Sequence, residues 1–191
     1  KKGVEASIIA CDVSSADDCV RAIAEIEQQL GPVSVLVNCA GITRDKTFKK
    51  MEAGDWEAVI NTNLNSVFYV TSPVWNGMLE RGFGRIVNIS SVNGQRGQFG
   101  QTNYSAAKAG MHGFTMALAQ EGAAKGITVN TVSPGYVETS MTAAMRDDVR
   151  EAIISGIPMR RMGQPEEIAS TVAFLAAPEN GYITGANIPV N

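Results

Sequence analysis

Short, uninterrupted apolar runs alternate with amphipathic stretches along this chain, and that alternation constrains the fold more than any other feature. Val33-Ser34-Val35-Leu36-Val37, Arg85-Ile86-Val87-Asn88-Ile89-Ser90 and Ile127-Thr128-Val129-Asn130-Thr131-Val132 each read as a strand. Ser7-Ile8-Ile9-Ala10-Cys11-Asp12-Val13 reads as an earlier strand, and Ala186-Asn187-Ile188-Pro189-Val190 as a last one. Between them lie helical stretches. The first is capped by Ser15, carries Val20, Ile23, Ala24 and Ile26 at helical spacing, and stops at Gly31-Pro32. A long one runs from about Asp55 to Arg81, and another from Thr102 or Asn103 to about Lys125. Two shorter helices follow a Ser133-Pro134-Gly135 turn, the second opening at Pro165 with Glu166 and Glu167 at its positive end. Strands that are apolar throughout are covered on both faces. The expectation is therefore α/β: a doubly wound parallel sheet in three layers, α/β/α, forming a single domain over residues 1–191.

Composition narrows the partners. Net charge is −3 with no basic block, so nucleic acid is not an expected ligand. No apolar run approaches the ~18 residues of a membrane span, and no signal-type apolar region opens the chain, so the expectation is a cytoplasmic protein. Cys11, Cys19 and Cys39 are odd in number and lack C-x-x-C spacing, which reads as reduced thiols. With His112 the sole histidine, no metal site is expected.

In a parallel sheet of this kind the ligand sits beyond the carboxyl ends of the strands. That selects Asp12-Val13, Asn38 to Gly41, Ser90 to Gly94 and Pro134 to Thr139. Tyr104 and Lys108 are four apart, which on a helix puts both on one face. Ser91 ends a strand thirteen positions earlier, and the polar, glycine-rich segment between can fold it back against them. Such a trio suits carbonyl reduction. A hydride acceptor needs a proton on its oxygen, and tyrosine at its ordinary pKa of ~10 is a reluctant donor. An ammonium at ~4 Å supplies about the 4 kcal/mol that a shift of ~3 units requires. The serine hydroxyl can hold the carbonyl oxygen.

Asn38-Cys39-Ala40-Gly41 resembles the N-N-A-G element of the short-chain dehydrogenases/reductases. Thr62-Asn63-Leu64, Asn88 to Gly94, Asn103-Tyr104 to Lys108, Ser133-Pro134-Gly135 with Thr139, and Arg161 to Ala169 follow in that family's order and spacing. The resemblance implies a Rossmann-like fold and a nicotinamide cofactor, NADP(H). It implies that Tyr104 is the general acid, that Ser91 orients the carbonyl, and that Lys108 lowers the tyrosine pKa and holds the nicotinamide ribose. It implies that Asn63 supports a water linked to Lys108. Asp12 and Val13 would meet the adenine. Asn38, Cys39, Ala40 and Gly41 would pass the ribose and phosphates, Cys39 standing where the family has asparagine. Pro134, Gly135, Val137 and Thr139 would meet the nicotinamide end. Homotetramers built on the long helices are a further expectation.

Within the family, Gly41 to Asp45, Val92 to Gln101 and His112 to Glu121 are most similar to the branch that reduces 3-oxoacyl thioesters. Acetoacetyl-CoA, on the way to polyhydroxybutyrate, is the leading substrate, and 3-oxoacyl-acyl-carrier protein the alternative. By that resemblance Asp45, Ser91, Gln98, Phe99, Gly100, Gln101, Gly135, Tyr136 and Arg146 would line the acyl-CoA side. Other features read as structural. His112 packs, Trp56 and Trp75 anchor a core or an interface, and Gly94, Gly97 and Gly100 make a flexible substrate loop rather than the G-x-G-x-x-G fingerprint. The methionines from Met141 to Met162 form either a lid or gap-filling packing.

The glycine-rich turn that normally opens a dinucleotide-binding sheet does not precede Ser7. The expectation is a domain lacking its first β-α-β-α stretch. A reading from another class follows: the 191 residues as a non-catalytic piece of such a reductase.

Overall fold

The computed structural model describes residues 5–139, 142 and 145–191. Four parallel strands lie side by side in chain order: β1 (Val35–Asn38), β2 (Gly84–Ile89), β3 (Ile127–Pro134) and β4 (Asn187–Val190). Each step between neighbours is a helical crossover, as parallel pairing demands. Helices α1 (Ala16–Leu30), α2 (Ala53–Ile60) and α3 (Ser66–Arg81) precede β2. Helices α4 (Asn93–Arg96) and α5 (Thr102–Gly122) precede β3, and α6 (Asp147–Gly156) and α7 (Pro165–Ala176) precede β4.

Strands β2 and β3 are buried on both faces because each face meets its own helices, whereas Val35 and Val37 leave one face of β1 exposed. Ile86, Ile127 and Val129 pack with Val74 and Met78 of α3, Ile23 of α1 and Ala119 of α5. Val87 and Val132, on the opposite face, pack with Leu175 of α7. This is the expected three-layer, doubly wound α/β arrangement. No helix among the described residues is long and apolar enough to cross a membrane.

Local chemistry sets the helix starts. Ser15 caps α1 by accepting the Asp18 backbone N–H at 3.3 Å. Pro165 stands at the first position of α7, with Gln164 and Glu167 as a reciprocal capping box.

Four expectations need correction. Residues 7–13 form no strand, and Ile8 is 98% exposed, because no strand among the described residues offers them a ladder. The long helix is two, since residues Asn61–Asn65 make a π-helical turn between α2 and α3. Strand β3 runs on through Pro134 instead of turning at Ser133. The glycine-spaced segment holds a one-turn helix, α4, and is anchored: a Cβ on Gly94 would lie 2.8 Å from the Lys108 backbone carbon.

A row of polar residues crosses the sheet. Asn38, Asn88, Thr131 and Asn187 are register partners on the four strands. Asn38 donates to Asn88 at 2.8 Å, Asn88 donates to Thr115 of α5 at 2.9 Å, and the Thr115 and Thr131 hydroxyls are 2.7 Å apart. Ser133 donates to Asn187 at 2.6 Å.

Candidate active site

The carboxyl ends of β1, β2 and β3 and the first turns of α5 meet at one edge of the sheet. Ser91 lies two residues beyond the end of β2, and its hydroxyl accepts the Asn93 backbone N–H at 3.1 Å, which leaves its own proton to point elsewhere. It lies beside the Tyr104 phenol. Tyr104 stands in the first turn of α5, where the Asn103 side chain accepts its backbone N–H at 2.8 Å. Asn103 in turn donates to the Arg44 and Asp55 carbonyls, both at 3.2 Å, so α5 is tied down at its start.

Lys108 is one turn on and 3% exposed. Its Nζ donates to the Ile89 carbonyl at 2.7 Å and lies 5.7 Å from the centre of the Tyr104 ring. Ser90 donates to the Lys108 carbonyl at 2.8 Å, fastening α5 to the end of β2. The helix and the strand end thus place Ser91, Tyr104 and Lys108 together, as their spacing predicts.

The electrostatics differ from the simple expectation. Burial pushes the Tyr104 phenol above its ordinary value, the adjacent Ser91 hydroxyl opposes the rise, and the Asp45 carboxylate adds to it. Burial also lowers Lys108 to about 8, partly offset by Cys39. In the free chain, then, the lysine does not pull the tyrosine down. Its charge is partly engaged by the Ile89 carbonyl and is itself disfavoured by burial.

Asn63 is fully buried in the π-helical turn and grips one residue from both sides. Its carbonyl accepts the Ile42 N–H and its amide donates to the Ile42 carbonyl, both at 2.8 Å. Gly41, next to that grip, lies against both Asn63 and Lys108. A Cβ there would sit 3.4 Å from Asn63 Oδ1 and 3.6 Å from Lys108 Nζ. The bare glycine leaves the ammonium reachable, and two of its three N–H bonds have no partner in the Ile89 contact. A ribose hydroxyl fits those donors, so this edge suits a nicotinamide nucleotide.

Other predicted residues fall differently. The Asn38 side chain turns inward to Asn88 and Thr71 rather than out to the edge, while Cys39, Ala40 and Gly41 are exposed there. The Asp12 carboxylate accepts the Ser14 backbone N–H at 2.9 Å and its hydroxyl at 2.7 Å, holding the turn into α1 at Val13. Pro134, Gly135 and Tyr136 leave β3, with the Gly135 N–H donating to Val190 at 2.9 Å. Val137 pairs with Gly163, and the Thr139 N–H donates to the Thr142 hydroxyl at 2.7 Å. Arg146 is ion-paired with Asp148 at 2.7 Å, both well exposed. Gln98 is exposed, Phe99 is 87% exposed, and Gly100 and Gln101 turn back towards Asp45 and Lys46.

His112 packs against Ser133 at 3.4 Å, and burial lowers its pKa. Trp75 packs partly buried on the core, whereas Trp56 is 39% exposed. Met162 is buried and Met159 exposed; Met141 lies outside the described residues. Sequence reasoning did not assign Asn93, Asn103 or Ser90, whose partners only the folded chain brings near.

A hydroxyl, a phenol and an ammonium converging at the sheet edge can orient a carbonyl oxygen and hand it a proton. The comparisons agree with that class of chemistry. A family model described as enoyl-(acyl carrier protein) reductase matches residues 1–191. An acetoacetyl-CoA reductase from Allochromatium vinosum is 74% identical over 190 residues, covering 100% of this chain and 77% of that protein. An acetoacetyl-CoA reductase from Cupriavidus necator is 59% identical, covering 94% of this chain and 73% of its own length. A 3-oxoacyl-[acyl-carrier-protein] reductase from Vibrio harveyi is 46% identical over 96% of this chain and 75% of its own. The chain belongs to the short-chain dehydrogenase/reductase family.

Proposed function

We infer that the protein reduces acetoacetyl-CoA to (R)-3-hydroxybutyryl-CoA, the hydroxyacyl thioester used for polyhydroxybutyrate. The observation that carries this reading is the 74% identity with an acetoacetyl-CoA reductase across the whole chain. The carrier-protein thioester is the second reading, favoured by the 46% relative alone among the three proteins described.

A nicotinamide, when bound, would supply the hydride for the carbonyl carbon. Tyr104 gives its proton to the carbonyl oxygen as charge develops there. Burial raises its pKa in the free chain, so the phenol is protonated at neutral pH but a reluctant donor, and stabilisation of the phenolate must come from the Lys108 ammonium and the cofactor's charge. Ser91 donates its own proton as a hydrogen bond to the same oxygen, its lone pair being held by the Asn93 N–H. Lys108 holds the ribose with the N–H bonds that Ile89 leaves over, and its charge favours the phenolate that forms. Asn63 keeps the Gly41-Ile42 turn clear of that ammonium.

NADP(H) is the proposed nicotinamide cofactor. Asp12, Val13, Cys39, Ala40, Gly41, Pro134, Gly135, Val137 and Thr139 would border it. A homotetramer is the proposed assembly. Its natural seam is the apolar groove between α3 and α5, lined by Phe68, Trp75, Phe114 and Leu118. Free cysteines at 11, 19 and 39 support a reducing cytoplasm.

Loss of NADPH absorbance decides the substrate. Turnover of acetoacetyl-CoA well above that of acetoacetyl-carrier protein, abolished by Tyr104→Phe, is expected. Equal turnover of the two thioesters would overturn the acetoacetyl-CoA assignment.

A further inference from the structure

Three side chains beside the catalytic trio form a chain of hydrogen bonds with a fixed sense. Gln101 donates through Nε2 to the Asp45 carboxylate at 2.7 Å. Its carbonyl accepts from Asn93 Nδ2 at 2.9 Å. A carboxylate only accepts, so Gln101 must present its NH₂ to Asp45 and its oxygen to Asn93. Asn93 must then present its own NH₂, and its Oδ1 is left buried with no hydrogen-bond partner. Turning Asn93 over to satisfy that oxygen would set carbonyl against carbonyl. Turning Gln101 would set its oxygen against the carboxylate. An unpaired buried oxygen is ordinarily costly, so its presence shows how firmly the other end dictates the sense.

The two ends of this chain bracket the reacting groups. Asn93 is the residue whose backbone N–H holds the Ser91 hydroxyl at 3.1 Å. Gln101 immediately precedes α5, whose first turn carries Tyr104. The far end is anchored as well. Lys46 donates its backbone N–H to the Gly100 carbonyl at 2.9 Å, and its ammonium is paired at 2.7 Å with Asp55, which caps α2 together with Glu52.

We propose that Asp45, Gln101 and Asn93 are a polarised brace that holds Ser91 and Tyr104 at their working separation. Asp45 is thus a positioning residue acting through two amides. For its kinetic readout this rests on the reductase reading above.

Reciprocal exchange in the full-length protein tests the brace. Gln101→Glu sets two carboxylates where a hydrogen bond now spans 2.7 Å. Asp45→Asn combined with Gln101→Glu rebuilds both bonds with the charge moved one residue along, since the introduced carboxylate accepts from both neighbours. Gln101→Glu should lower kcat about tenfold, with KM for acetoacetyl-CoA within about twofold, and the double variant should recover most of that loss. Gln101→Met, similar in length and unable to hydrogen-bond, should lower kcat similarly. A raised KM with unchanged kcat in Gln101→Met would overturn the brace, as would a double variant as slow as Gln101→Glu. Hydrogen exchange of residues 92–101 in the cofactor-free protein gives a readout independent of substrate. It should quicken in both single variants and return in the double, and unchanged exchange in both singles would overturn the proposal. Restored exchange in a protein that does not reduce acetoacetyl-CoA would support the brace and sink the substrate assignment instead.

Discussion

Replacing Lys108 by Met should make the cofactor-free protein more stable while destroying its activity. Lys108 is 3% exposed, and burial lowers it from an ordinary 10.5 to about 8. That difference corresponds to about 3 kcal/mol that the fold bears whenever the amine is protonated. Methionine keeps the stem and removes the charge. It also removes the donor to the Ile89 carbonyl, which returns about 1 kcal/mol of the gain. A net stabilisation of about 1–2 kcal/mol at pH 7 follows, or a rise in Tm of about 2–8 °C for a domain of this size. The pH dependence carries the stronger test. The unfolded chain holds the lysine proton up to about 10.5 and the folded chain only to about 8. Between those values the unfolded state binds more protons, so wild-type stability rises with pH. Below about 8 the full penalty is present, and through the window it disappears. The methionine variant lacks this slope, so its advantage should shrink steadily from pH 8 to 10. Thermal melts of both proteins at four pH values between 7 and 10 measure it. A methionine variant less stable than wild type, by the same margin at every pH, would refute the buried-ammonium argument. A site that retains such a group against its own stability is one where chemistry has set the choice.

Two further outcomes follow from the geometry. Gly94→Ala should lower turnover and stability together, since its Cβ would fall 2.8 Å from backbone at Lys108 and must displace either α4 or α5; a variant with normal kcat and Tm would show that the contact yields freely. Ultraviolet titration of the cofactor-free protein, taken as wild type minus Tyr104→Phe, should show a phenol ionising above pH 10, because burial outweighs the Ser91 contact; a difference transition near neutrality would mean that Lys108 acts on the phenol without cofactor.

Much of this was legible in the residues, and the misses share a cause. The strands at 85–90 and 127–132 could be read because burial on both faces leaves short segments rich in valine and isoleucine between turn-forming residues. Tyr104 and Lys108 could be paired because four residues make one helical turn. Residues 7–13 misled because an apolar run fits a strand only where a neighbour accepts its ladder. The π-helical turn at Asn61–Asn65 was invisible because it contains neither glycine nor proline. The inward turn of Asn38 depends on which face of β1 it occupies, a matter of register with β2. The mutual contacts of Asp45, Gln101 and Asn93 could not be read because they span 56 and 8 positions of chain.

The polar row through Asn38, Asn88, Thr131 and Asn187 bears on how the chain finds its fold. Parallel strands of valine and isoleucine are nearly interchangeable along their length, so a slip by two residues keeps every apolar side chain on its proper face. It would not keep the amides matched. A slipped β1 would set Leu36 against Asn88 and leave an asparagine without its partner inside the core. The row is thus a proofreading mark for strand alignment. The alignment it enforces brings Ser91, just beyond the end of β2, level with the helix that carries Tyr104.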